Sequence, residues 1–269
     1  MWARRLKIAG AALGAGYVAI AGAVALSYRV FLYPAKRQDI DPMPTAGSLV
    51  RIEQEGEPTV FALYAPAPKG APTLVRFHGN GEDLVDEARE VRAYADLGLG
   101  VMAVEYPGYG LARAQKTTEA SIYRAAERAL GFLRDQGVAT SDIVVLGNSL
   151  GTGIATEMAK RGLAGKLVLM APYTSIPDMV SRFVPFVPTH TLVGDKFDTL
   201  AKAPSIDLPA LVIHGDEDQL IPPRMGDRVA AAFPHAELHV VRGGHHNDLC
   251  SRDPDLRRRI AGFARGELR

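Results

Sequence analysis

The stretch Ile143–Arg161, IVVLGNSLGTGIATEMAKR, sets the reading of the whole chain. Ile143–Leu146 is a short, uninterrupted apolar run of the kind that forms a strand buried on both faces of a parallel sheet. Gly147-Asn148-Ser149-Leu150-Gly151 follows at once, and a helical segment begins at Leu150. Strand, sharp glycine-flanked turn and helix together project a serine hydroxyl from a sheet edge, with backbone N–H groups of the helix N-terminus beside it. A Gly-x-Ser-x-Gly string alone is a common accident; its placement between strand and helix is what makes it informative.

Outward from this point the same rhythm repeats. Thr73–Phe77, Leu99–Val104, Leu167–Met170, Ala210–Ile213 and Leu238–Val241 read as further strands. Helical segments fall near Asp83–Leu97, Thr118–Gln136, Arg224–Phe233 and Pro254–Phe263. The clearest, Thr118–Gln136, places Ile122, Ala126, Ala129 and Leu133 on one face and has Gly137 as its stop. Leu49–Ile52 and Thr59–Tyr64 alternate as a first hairpin. The expectation is an α/β architecture, a mostly parallel sheet of about eight strands with helices on both faces. Tyr173–Asp207, with Pro177, Pro185, Pro188 and Pro204, breaks the rhythm and reads as a short cap insertion at 173–207.

A serine hydroxyl is a weak nucleophile without a base, and the base needs an orienting carboxylate. After the strand ending in Val212-Ile213-His214-Gly215 come Asp216, Glu217 and Asp218. Asp218 is the better placed, with Leu220-Ile221-Pro222 leaving room to turn its carboxylate to the sheet edge, while Asp216 suits a turn cap. After the last strand come His245 and His246, one of which should be the base. His78, His190, His214, His235 and His239 take structural or surface readings by default. Adjacent histidines with no third ligand at metal spacing make a metal site the weak option. An oxyanion needs two preorganised donors. These are the N–H of Leu150 and one from His78-Gly79-Asn80-Gly81, assigned to Asn80. The chemistry calls for no cofactor.

The amino terminus is separate in character. Arg4, Arg5 and Lys7 precede an uncharged run from Ile8 to Tyr28, long enough at 1.5 Å per residue to span about 30 Å of hydrocarbon. A single-pass anchor over 1–35 is preferred, with Trp2, Tyr28 and Tyr33 at the interfaces, a linker over 36–48 and the catalytic domain over 49–269. The rival is a signal peptide cleaved after Ala23-Val24-Ala25. Basic residues flank the run on both sides, so the positive-inside rule barely orients it; the expectation is a membrane location with an exported domain. Lys and Arg, 31 in number, balance 30 Asp and Glu, which leaves no clustered positive field for nucleic acid. One cysteine, Cys250, excludes an internal disulfide.

HGNG at His78–Gly81, YPGYG at Tyr106–Gly110, GNSLG at 147–151, PYTSIPDMV at 172–180, HGDEDQLIPP at 214–223 and GGHHND at 243–248 carry a resemblance over Arg51–Phe263. The chain resembles the α/β-hydrolase superfamily, in particular the membrane-anchored branch related to eukaryotic α/β-hydrolase-domain proteins. The resemblance implies an α/β-hydrolase fold and a Ser149, His246 and Asp218 triad. Asp218 matches the Asp of the family's G-x-x-D-x-x-x-P pattern, and His246 the histidine directly before Asn-Asp. Relatives commonly carry a small residue where His245 stands. Members include protein deacylating thioesterases, lysophospholipases and esterases, so the expected substrates are acyl esters or thioesters of small molecules, lipids or acylated proteins. Serine aminopeptidases are more distant relatives. A peptidase, or a hydrolase fold kept as a binding module, are the alternatives.

Overall fold

A computed structural model describes residues 2–34 and 44–267. Eight strands form one sheet: β1 (Ser48–Gln54), β2 (Glu57–Ala65), β3 (Thr73–Phe77), β4 (Gly100–Val104), β5 (Ile143–Asn148), β6 (Lys166–Met170), β7 (Ala210–Gly215) and β8 (Ala236–Val241). Their order is β1-β2-β4-β3-β5-β6-β7-β8. The β1–β2 and β2–β4 pairs are antiparallel, and every other pair is parallel.

The central strands are largely apolar because they divide their side chains between two cores. Val75, Phe77, Val145, Leu167, Leu169 and Val212 face one layer of helices. Leu74, Val144, Leu146, Val168, Leu211 and Ile213 face the other. The first layer is α3 (Glu119–Asp135), α4 (Gly151–Lys160) and α8 (Pro223–Ala232); the second is α2 (Leu84–Ala95) and α10 (Leu256–Arg265). Side chains fix two helix starts. Asp83 accepts from the Val85 and Asp86 amides at α2, and Thr118 forms a capping box with Ser121 at α3, each cap contributing about 1 kcal/mol.

The cap carries only short helices, α5 (Ile176–Ser181), α6 (Thr189–Leu192) and α7 (Thr199–Lys202), as its prolines require. A further single turn, α9 (Leu249–Arg252), precedes α10. At the amino terminus, α1 runs from Trp2 to Leu32, and its segment Ala9–Leu32 is long and apolar enough to cross a membrane. The expected linker lies largely in 35–43, outside the described residues.

One expectation needs correcting. Tyr28 is not a free interfacial aromatic: it is buried, and its hydroxyl donates to Asp195 Oδ2 at 3.0 Å and accepts from the Gly194 and Asp195 amides. Arg29 Nε donates to the same carboxylate oxygen at 2.7 Å. Leu32 is also buried, and Tyr33 packs against the same core. A buried phenol and a buried carboxylate satisfy each other here, so the last turns of α1 belong physically to the globular domain.

Candidate active site

The carboxyl ends of β3, β5, β7 and β8 deliver four loops to one edge of the sheet. This is where parallel α/β sheets present their ligand-binding crevice. Phe77 on β3 is in register with Gly147 on β5, so the His78–Gly81 loop and the serine turn begin side by side.

Ser149 has φ of +50°, in the left-handed region that a side chain rarely adopts. The strain is held by bonds on both sides. Ser149 N–H donates to Met170 O at 2.9 Å, while the Thr152 amide and hydroxyl donate to Ser149 O at 3.0 and 2.7 Å. The flanking glycines answer close approach. A Cβ on Gly147 would collide with the Gly151 carbonyl oxygen, and one on Gly151 with that of Phe77.

His246 Nδ1 is 2.8 Å from Asp218 Oδ2, and its Nε2 is 2.9 Å from Ser149 Oγ. An ionised carboxylate only accepts, so Nδ1 carries the proton and Nε2 is the acceptor facing the serine hydroxyl. Asp218 is buried; its other oxygen accepts from the Leu220 and Ile221 amides at 2.9 and 2.8 Å. Burial pushes this carboxyl up, yet the neighbouring His214 and His246 rings and the Ile221 amide outweigh it and hold it well below the usual carboxylate range. Asp218 is thus an anion held beside an imidazole.

The competing residues point elsewhere. His245 Nδ1 donates to Glu217 O at 2.9 Å, with its ring partly exposed. Asp216 accepts from the Gly243 amide at 2.7 Å and from Arg242, pinning the β7 loop to the β8 loop. Neither touches Ser149.

Among the described residues, the Asn80 and Leu150 amides have no protein partner, as donors for an incoming oxyanion require. Gly79 N–H, by contrast, is turned away to Glu82 Oε2 at 2.6 Å. That same oxygen accepts from Asn148 Nδ2 at 3.2 Å, so Glu82 ties the His78–Gly81 loop to the serine turn. Beneath them, buried His78 donates from Nδ1 to Gly79 O at 2.8 Å, stacks on Tyr106 at 3.9 Å and sits 3.5 Å from Glu105. Burial pulls the His78 imidazole down, but Glu105 overcomes this and raises it.

Glu82 escapes sequence reasoning, and so does the placement of His214 beside the acid. His214 donates from Nε2 to Ile221 O at 2.9 Å and lies 3.5 Å from Asp218 Oδ2, behind the acid. The available signals were their positions: Glu82 directly after HGNG, and His214 four residues before Asp218. A groove of about 800 Å³ runs beside the end of α1, lined by Arg29, Tyr33, Gly108 and Gln115 among others, and does not include Ser149. The Asn80 side chain donates to Phe31 O at 3.4 Å, so the end of α1 borders the site.

Comparisons with known proteins agree with this architecture. A model described as "Alpha/beta hydrolase family" matches residues 74–198, and one described as "alpha/beta hydrolase fold" matches 188–252. A putative alpha/beta hydrolase of Acanthamoeba polyphaga mimivirus is 33% identical over 65% of this chain and 67% of its own. Human alpha/beta hydrolase domain-containing protein 17B is 31% identical over 68% of this chain and 63% of its own. Among solved structures, a Pyrococcus furiosus esterase matches with TM-score 0.67 at 18% identity, over 85% of this chain and 95% of that one. A bacterial membrane phospholipase A matches with TM-score 0.61 at 17% identity, over 99% of each.

Proposed function

The chain belongs to the α/β-hydrolase family, and on that footing we propose that it is a membrane-anchored serine hydrolase cleaving carboxylic ester or thioester bonds of acyl- or lipid-type substrates. The observation that carries the reading is the unbroken line from Asp218 through His246 to Ser149, with contacts of 2.8 and 2.9 Å.

Ser149 Oγ attacks the substrate carbonyl while its proton passes to His246 Nε2. The resulting oxyanion takes hydrogen bonds from the Asn80 and Leu150 amides, and the Asp218 carboxylate stabilises the imidazolium. Collapse expels the alkoxide or thiolate, which leaves as alcohol or thiol with the proton from His246. Water, deprotonated by His246, then attacks the acyl-enzyme and returns the serine. Asp218 serves the cycle as a permanent anion, which its depressed titration supports.

The membrane part rests on α1. Its Ala9–Leu32 segment is long and apolar enough to span a bilayer, and its last turns dock on the domain through Tyr28 and Leu32, which favours keeping the helix. Retention in the membrane with the domain exported is the reading that combines this with the sequence.

Activity across p-nitrophenyl esters of rising chain length, acyl thioesters and aminoacyl amides tests the substrate class. Hydrolysis of esters or thioesters is expected; turnover confined to aminoacyl amides would make the protein a peptidase, and none with any substrate a binding module.

A further inference from the structure

At 1.5 Å per residue the 31-residue helix α1 is ~46 Å long, well beyond ~30 Å of hydrocarbon. Counting about 20 residues from Lys7 brings the far boundary of the bilayer to Ser27. Yet Ala21, Gly22, Val24, Ala25 and Ser27 are already partly covered, and α1 lies against α6 of the cap. The cap therefore begins at a depth where the helix has not left the membrane.

The same cap presents large exposed apolar side chains. Phe183 is 75% exposed and Phe186 58%. Phe186 stands three residues before α6, at most ~11 Å of extended chain from it. Leu220, 51% exposed, lies near the cap, since Arg182, next to Phe183 in the chain, donates from Nη1 to its carbonyl at 2.5 Å. Leu220 is also the residue whose amide binds Asp218 Oδ1, which brings this end of the cap beside the active-site loops. Exposed aromatics cost free energy in water unless something apolar covers them, and the helix that docks on this same cap, α1, leads into a bilayer.

We propose that the cap face carrying Phe183 and Phe186, with the adjoining Leu220 of the β7 loop, is immersed in the phospholipid surface, so that substrate reaches Ser149 from the lipid phase. The inference rests on the reading of α1 as a retained membrane anchor. Phospholipids and other acyl esters resident in the bilayer are then the substrate class favoured over water-soluble esters.

The test uses the full chain in phosphatidylcholine vesicles, with Trp2→Phe removing the one native tryptophan and single tryptophans introduced by Phe183→Trp, Phe186→Trp, Tyr17→Trp or Leu238→Trp. Tyr17 lies within the span, and Leu238 is exposed on the edge strand β8. The Phe183→Trp and Phe186→Trp variants should lose emission in vesicles of acyl-chain-brominated lipid and resist acrylamide, as Tyr17→Trp does, while Leu238→Trp behaves in the opposite way. Acrylamide quenching at 183 and 186 equal to that at 238, in vesicles where Tyr17→Trp is lipid-quenched, would overturn immersion while leaving the anchor standing. Release of the chain by carbonate would overturn the anchor and this inference together. Neither readout depends on turnover, so both stand apart from the catalytic reading.

Discussion

Glu82 and Asn148 meet at 3.2 Å, and the carboxylate oxygen that accepts the Asn148 amide also accepts the backbone N–H of Gly79 at 2.6 Å. One oxygen thereby sets the distance between the Asn80 loop and the turn that carries Ser149. Glu82 would touch no substrate; it positions both donors of the proposed oxyanion site.

Glu82→Ala should therefore lower kcat while leaving KM nearly unchanged. Hydrogen bonds to a charged group are worth about 1.5–3 kcal/mol, or roughly 10- to 100-fold in rate if expressed in the transition state. Glu82→Gln, which retains one acceptor oxygen, should lose less. Steady-state kinetics on a soluble ester check this, with a rise in KM at constant kcat the opposing result.

The two adjacent histidines and the neighbouring acids give a sharper contrast. His246→Ala and Asp218→Asn should each cost about four orders of magnitude in kcat. His245→Ala and Asp216→Asn should cost less than about tenfold, because their contacts are with Glu217 O, Gly243 and Arg242. Comparing kcat/KM for the four folded variants on one activated ester decides between the pairs.

Asp218 also makes a statement about pH. A carboxyl held below its ordinary value stabilises the fold above its unfolded pKa and loses that contribution as pH falls toward the folded one. The stability advantage of wild type over Asp218→Asn should accordingly be constant near neutrality and shrink below about pH 4. Urea unfolding of both proteins at several pH values measures it.

Truncation separates the anchor from the docked turns of α1. Deleting residues 2–20 should leave the domain folded and active, because Tyr28, Arg29 and Leu32 keep their contacts. Deleting residues 1–35 removes them, and each large apolar side chain withdrawn from the core costs about 1.5–3 kcal/mol. The shorter protein should melt at a lower temperature, by about 2–4 °C per kcal/mol for a domain of this size. Equal melting temperatures would show that the docking of α1 contributes nothing.

What the sequence discloses follows from the range of the interactions involved. Strands such as Ile143–Leu146 and Ala210–Ile213 are legible because burial on both faces forces a continuous apolar run. The edge strand β8 is less so. It begins at Ala236 rather than Leu238, since solvent on one side removes the pattern. The serine turn is legible through local steric demand at Gly147 and Gly151. Contacts between residues far apart in the chain leave no such trace. Tyr28 meets Asp195 across 167 positions, and Glu82 meets Asn148 across 66; nothing in either neighbourhood of sequence announces the partner.

The central claim is that Ser149 is a nucleophile activated by His246. Reaction of the folded protein with a fluorophosphonate, followed by mass spectrometry of its peptides, tests it most directly. The account predicts one adduct, on Ser149, absent from Ser149→Ala and formed far more slowly by His246→Ala, whose serine would lack the acceptor now 2.9 Å away. An adduct on another residue, or undiminished labelling of folded Ser149→Ala, would contradict it.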